Sequence, residues 1–315
     1  MVKQLIKQYL PSNILDAYHF AYDYVKWVYY ERKLSGKQYN KMHILLDDKM
    51  VEYIMKNHTS LSRFGDGEFR WMLNIHHVSF EEYSDTLANR LREVLTSNED
   101  KLLVAIPRIF NDISYCTYKV KMFWRSFMGK HYDKIYPYLD PNKIYGDTEL
   151  TRPYIDYKDK SDSLPRFQSA KKLWDNRNVV IIEGEKTKLG VGNDLFTNVS
   201  SICRIVCPAS NAFQEYKKIL DIALRQDKNK LILIALGPTA TILAYDLCKY
   251  GYQALDIGHI DIEYEWYLSK TKKKIPVMGK IIRESGTDYC DLSLDGNLEY
   301  QKSIIARVKH NKDAL

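Results

Sequence analysis

Near-continuous apolar runs recur along the chain from about residue 46. "KLLVAIP", "NVVIIEG", "SICRIVCP", "KLILIALG" and "YQALDIG" are the clearest, and "SLSRF" is a shorter one. Runs of this kind predict strands buried on both faces of a parallel sheet. Between them, the pattern shifts to helical spacing at about 82–96, 165–176, 211–226 and 239–250. The alternation predicts an α/β fold, a Rossmann-like doubly wound and mostly parallel sheet, extending from residue 46 to 315.

Two stretches differ. The segment "PSNILDAYHFAYDYVKWVYYERKL" begins with a Ser12/Asn13 cap and then runs helically, with Ile14, Tyr18, Ala21, Val25 and Val28 three or four positions apart. Residues 1–45 are therefore expected to form a helical extension. The first 41 carry seven Lys/Arg against three Asp/Glu. This suits first packing on the domain or on a second copy in a homo-oligomer, and also suits peripheral contact with an anionic membrane surface. Residues 111–165, rich in Tyr, Asp and Pro, read as a loop-rich insertion over a binding cleft.

At 315 residues and 45% hydrophobic composition the chain can bury a sizeable core. A net charge of +7 and a pI near 8.9 point to anionic partners without choosing among them. Five cysteines without a CxxC pair exclude a disulfide framework and a zinc knuckle, and fit a reducing cytosol. No run is long enough to span a membrane and no signal peptide is legible, so the expectation is a cytoplasmic protein, soluble or peripheral at the inner face of the membrane.

In a doubly wound sheet, ligands sit beyond the carboxyl ends of the strands. Four motifs fall there. "RFGDGEF" places Asp66 and Glu68 two residues apart behind Arg63, with Gly65 and Gly67 permitting a sharp turn. Such a pair can present oxygens to one hard cation, with Arg63 as a phosphate clamp, or can be a plain acidic turn. "ALGPTATILAYDL" ends a strand at Gly237 and starts a helix at Thr239, whose free N–H groups either bind an anion or form a simple capped turn. "EGEKTKLGVGNDLF" supplies Lys186, Asn193 and Asp194 in a polar, flexible loop suited to reading a nucleotide or sugar. Its glycines do not make a nicotinamide fingerprint. "DIGHIDIEYEW" puts His259 near Asp261 and Glu263, whether extended or beginning a helix, as a metal ligand, a base or a structural histidine. P-loop, zincin, kinase and serine-hydrolase signatures are absent.

Together with "NAFQEY", which contains Asn211, these motifs resemble the GT-D-type glycosyltransferases, a bacterial family with a Rossmann-like fold, over roughly residues 46–270. The resemblance implies a metal-dependent enzyme that transfers a hexose from a UDP-sugar, UDP-glucose or UDP-galactose first. The acceptor would be a glycan on an adhesin or a lipid-linked surface polysaccharide. It further implies that Asp66 and Glu68 hold Mn2+ or Mg2+ on the pyrophosphate, with Glu68 the direct ligand; His259, Asp261 and Glu263 are the candidates for completing the metal site or supplying the base. Arg63, Gly65, Lys186, Asn193, Asp194, Asn211, Gly237 and Thr239 are the expected donor-binding residues. The expected anionic partner is thus a nucleotide sugar, not a nucleic acid. Two other readings stay open: a metal-dependent nucleotidyl- or phosphotransferase, and a non-enzymatic membrane- or nucleic-acid-binding module.

Overall fold

The computed structural model describes residues 12–35, 40–75, 81–280 and 297–310. Among them nine strands form one sheet: β1 (His43–Leu45), β2 (Ser60–Arg63), β3 (Leu102–Ile106), β4 (Ile144–Asp147), β5 (Asn178–Gly184), β6 (Ser201–Cys207), β7 (Leu231–Ala235), β8 (Ala254–Asp256) and β9 (Ile304–Arg307). Their order is β1-β4-β3-β2-β8-β7-β5-β6-β9, and every pairing is parallel. All carboxyl ends therefore lie along one edge.

The period-two alternation of side chains divides the apolar strands between two cores. Leu103 and Ala105 of β3, Val179 and Ile181 of β5, and Leu231 and Leu233 of β7 enter one, against α2 (Asp47–Asn57), α6 (Ser163–Lys171) and α9 (Ile260–Leu268). Val104 and Ile106 face the opposite side, against α3 (Asp66–Met72), α4 (Asp85–Thr96) and α5 (Tyr118–Ile135). Val180, Ile182, Ile232 and Ile234 face that side too, against α7 (Tyr216–Ala223) and α8 (Pro238–Lys249). A short α10 (Leu298–Ser303) leads into β9. The doubly wound sheet expected from the apolar runs is present.

Three differences from the sequence reading have physical reasons. Residues 111–165 are not mostly loop: they contain α5 and β4, and β4 pairs with both β1 and β3. Strands β1, β4 and β9 are short and mixed in polarity, so no apolar run marked them. The helical extension exists as α1 (Ser12–Ser35), but Ile14, Tyr18 and Val25 of its expected apolar stripe are exposed, Val25 by 68%. Another side packs on α5: Phe20 stacks on Tyr118, Tyr30 lies against Gly129, Lys33 Nζ donates to Gly129 O (3.0 Å), and Glu31 pairs with Arg125. Apolar and aromatic residues surround α1 so evenly that periodicity does not select its buried side.

Among the described residues no helix is long and apolar enough to cross a membrane. Cys116, Cys203, Cys207 and Cys248 are free thiols. Cys290 lies outside the described residues.

Candidate active site at the β2/β8 crevice

Strands β2 and β8 are neighbours, with Leu61 opposite Leu255. The helices that follow them leave for opposite sides: α3 buries Phe69, Trp71 and Met72 in one core, α9 buries Ile260, Ile262 and Trp266 in the other. Diverging connections open a crevice beyond the carboxyl ends, the general ligand site of open α/β sheets. Asp66 and Glu68 on one wall and His259 on the other flank this point.

The acidic turn is built locally. Gly65 caps α3 in an extended conformation (φ −102°, ψ −167°), so the expected glycine-dependent sharp turn is not used. Glu68 at the third helical position folds back so that its Oε2 accepts the Gly65 N–H (2.7 Å), the carboxylate half of a capping box. Burial, with Asp256 nearby, pushes the Glu68 carboxyl up from its ordinary range, against the Gly65 N–H and Arg63, which pull it down. Asp66 is more exposed and accepts from Arg70 Nε one turn on (3.1 Å).

Arg63 ends β2 with its Nε on Asp256 Oδ1 (3.3 Å) at the end of β8, and its Nη1 on the Thr151 hydroxyl. Thr241 of α8 donates to Arg63 O (2.9 Å) and to Asp256 Oδ2 (3.3 Å). Burial raises the Asp256 carboxyl although Arg63 and Thr241 stabilise its charge. Gly258 adopts φ +37°, and a Cβ there would collide with the Arg63 guanidinium. Asp256 and Thr151, neither of them singled out in the sequence, join Thr241 in holding Arg63 at the mouth of the crevice.

His259 is the residue before α9, half-buried, its carbonyl accepting the Glu263 N–H (3.0 Å). Asp261 is engaged on both oxygens, by Asn193 Nδ2 (2.7 Å) and by the buried Lys280 Nζ (2.7 Å). Asn193 also reaches Glu265 (2.7 Å), and Tyr264 OH donates to Asp194 (2.7 Å). These contacts dock the 185–196 loop onto α9, so the loop is pinned where the sequence suggested flexibility. Lys186 stands exposed beyond β5. Glu263, the other acid of the motif, is buried and accepts the Tyr154 and Ile155 N–H groups (3.1 and 2.8 Å).

The helix start after β7 meets a carboxyl group of the chain itself. Gly237, at φ +54°, turns the chain into α8, and Thr239 Oγ1 donates to Glu81 Oε1 (2.7 Å). Phe213 N–H donates to the same carboxylate (3.1 Å), and Asn211 Oδ1 accepts the Glu82 N–H (2.7 Å). Burial raises Glu81 to about 7 despite these donors. Thr239 and Asn211 therefore grip the 81–82 segment. Glu81 lies 158 residues from Thr239, and no local pattern links them.

Asp66, Glu68 and His259 do not close into a three-ligand cluster: among the described residues no group of three or more His, Cys, Asp or Glu is arranged to hold a metal ion. The reason is local, since Glu68 turns back on Gly65 and Asp66 toward Arg70.

Comparison with known proteins decides the family. The family model described as "Glycosyltransferase GT-D fold" matches residues 61–285, most of the chain. The chain belongs to the GT-D glycosyltransferase family. Glycosyltransferase GlyD of Streptococcus pneumoniae is 39% identical over 263 residues, covering 83% of this chain and 32% of that protein. The probable glycosyl transferase Gly of Streptococcus gordonii is 34% identical over 278 residues, covering 87% and 40%. The chain thus spans about a third to two-fifths of the curated relatives it matches. Among solved structures, one described as a highly conserved domain of unknown function with a distinct glycosyltransferase fold superposes with a TM-score of 0.80, at 38% identity over 91% of this chain and all of that one. A new glycosyltransferase from Streptococcus sanguinis also gives 0.80, at 32% identity over 85% of this chain and all of its own. The acidic turn, the 185–196 loop and the His259 turn all lie within the matched residues.

Proposed function

We propose that this GT-D chain transfers a hexose, from UDP-glucose or UDP-galactose first, to a glycan acceptor on a bacterial adhesin or a lipid-linked surface polysaccharide. The observation that carries the reading is the cluster of Arg63, Glu68 and Asp256, with Asp66 beside it, at the crevice between β2 and β8.

Departure of UDP develops negative charge on its β-phosphate, and positive charge held in place beforehand lowers that barrier. Arg63, its side chain held by Asp256 and Thr151 and its backbone carbonyl accepting from Thr241, is such a group and needs little reorganisation to meet a phosphate oxygen. The residues present also fit Mn2+ or Mg2+. Asp66 and Glu68 offer hard oxygens on a partly exposed turn, and one or two carboxylates suffice where substrate phosphates and waters complete the shell. A divalent cation bound there supplies further charge stabilisation for the leaving diphosphate. His259 is the proposed base for the acceptor hydroxyl. Asp261, held by Lys280 and Asn193, acts through position, fixing α9 and with it the His259 turn.

The test is product analysis with UDP-sugars. Release of UDP identifies cleavage at the anomeric carbon. Release of UMP with sugar phosphate identifies the nucleotidyl- or phosphotransferase reading, and salt-sensitive binding without turnover identifies a binding module.

A further inference from the structure

Ile14, Tyr18, Val25 and Tyr29 stand four, seven and four residues apart on α1, on one side of the helix, and are 48–68% exposed. Phe20, Tyr30 and Glu31 turn the other way, onto α5. α5 repeats the spacing with a different chemistry, since Lys119, Phe123, Lys130 and Lys134 are all exposed and also stand four, seven and four apart. Contacts join the two stripes into one face. Lys26 Nζ lies over the Tyr22 ring (4.4 Å), and Lys33 Nζ donates to Gly129 O of α5 (3.0 Å). Lys130 Nζ of α5 lies over the Tyr30 ring (5.7 Å), which meets Tyr29 edge-on (5.0 Å). A continuous apolar stripe beside such charge marks an interaction surface.

The charge narrows the partner. α5 carries Lys119, Lys121, Arg125, Lys130 and Lys134 against Asp133 alone, while α1 is balanced at three of each sign, so the pair holds +4 of the chain's net +7. His131 of α5 feels that field: burial and the nearby cations Arg70, Lys130, Lys134 and Lys33 push it down to about 4. A second copy docked through the same face would set this charge on its like. A nucleic-acid backbone takes up the charge but offers nothing to Ile14 and Val25. An anionic lipid surface meets both demands. Its headgroups take the lysines, and the acyl boundary takes the aliphatic and tyrosine side chains, whose polar tips stay in water.

We propose that α1 and the basic side of α5 form a docking face for an anionic lipid bilayer, with α1 lying flat at the headgroup boundary. The binding stands on this face alone, whatever the chain catalyses. Its use to the enzyme rests on the glycosyltransferase reading above. Phe123 stacks with Phe127 (6.2 Å), Arg70 lies over Phe127 (5.1 Å), and Arg70 holds Asp66 (3.1 Å). The face is thus joined to the acidic turn through the body of α5, and docking brings that turn to an acceptor carried on a lipid.

The experiment sediments the full chain with phosphatidylglycerol/phosphatidylcholine vesicles and with pure phosphatidylcholine vesicles. Binding to the anionic vesicles is expected to be at least about tenfold tighter and to weaken as salt is raised. The triple variant Lys119→Gln/Lys130→Gln/Lys134→Gln should weaken it on the order of 100-fold, since each lysine near an anionic surface is worth about fivefold. Val25→Ser/Tyr29→Ser should weaken it at least about tenfold by removing apolar side chains from the boundary. All five side chains are exposed, so Tm should hold in both variants. No binding to anionic vesicles, or binding that Val25→Ser/Tyr29→Ser leaves unchanged, overturns the proposal. Dimerisation that this double variant abolishes, without vesicle binding, assigns the stripe to a second copy and overturns it too. Release of UDP from sugar nucleotides is scored separately: vesicle binding without any release sinks the transferase reading and leaves the docking face, whereas release without vesicle binding does the reverse.

Discussion

Replacing Glu68 separates the two tasks the structure gives this side chain. Its Oε2 caps α3 through the Gly65 N–H, and its charge stands beside Asp256 at the proposed metal and diphosphate site. Glu68→Ala removes both, and a lost cap costs about 1 kcal/mol, a fall of about 2–4 °C in Tm for a large domain. Glu68→Gln keeps an acceptor oxygen for Gly65 and removes only the charge. Because the carboxyl is raised in the folded state, the stability it contributes is complete below its ordinary pKa of 4.5 and is lost as pH rises through the raised value. The glutamine variant does not suffer that loss. Its Tm should equal or exceed that of the wild type at pH 8, by more than it does at pH 5. Activity should go the other way: losing one preorganised electrostatic group costs about 10²–10³ in turnover. Calorimetry on the three proteins at both pH values, with UDP release at pH 7.5, tests the reasoning. Near wild-type turnover in Glu68→Gln refutes the catalytic assignment, and equal destabilisation by Gln and Ala refutes the capping argument.

Other outcomes follow from neighbouring groups. His259→Ala should lower kcat by about 10²–10⁴, the range for a lost general base; a change in Tm alone marks the histidine as structural. Gly258→Ala forces a Cβ against Arg63 and demands φ near +37° from alanine, so UDP affinity and Tm should fall together in calorimetry. Glu81, raised from 4.5 to about 7, contributes stability that is complete below pH 4.5 and lost as pH passes 7. Glu81→Gln should therefore gain on the order of 1–3 kcal/mol over the wild type between pH 5.5 and 8.5, read from urea unfolding. Arg204→Ala leaves Glu183, its buried partner at 2.6 Å, without a counter-charge, and should cost about 3–5 kcal/mol by the same assay.

The architecture was legible where strands are buried on both faces. β3, β5, β6, β7 and β8 announce themselves because packing on two sides demands apolar side chains throughout, and the helices between them keep their 3.6-residue period. β1, β4 and β9, three or four residues long, carry no such demand, and α5 was hidden in a segment whose Tyr, Asp and Pro content reads as loop. The site was legible in part. Arg63, Asp66, Glu68 and His259 sit at strand ends in the sequence and border one crevice in the structure. Asp256 was inside a quoted motif yet passed over, since an acid at the end of an apolar strand gives no sign of its partner until β2 and β8 are paired. Glu81, Thr151 and Lys280 reach Thr239, Arg63 and Asp261 across the fold, at separations no periodicity can encode. The 185–196 loop reads as mobile from its glycines, but Gly190 packs against Phe196, and Asn193 ties the loop to α9.

The central claim, that Asp66 and Glu68 serve a nucleotide-sugar transferase, is tested most directly by UDP release from a panel of UDP-sugars by the wild-type chain, with Mn2+, Mg2+ or EDTA and no added acceptor. The account predicts slow release from one UDP-hexose that depends on the cation and disappears in EDTA. No release from any UDP-sugar, together with no UDP binding in the presence of the cation, contradicts it.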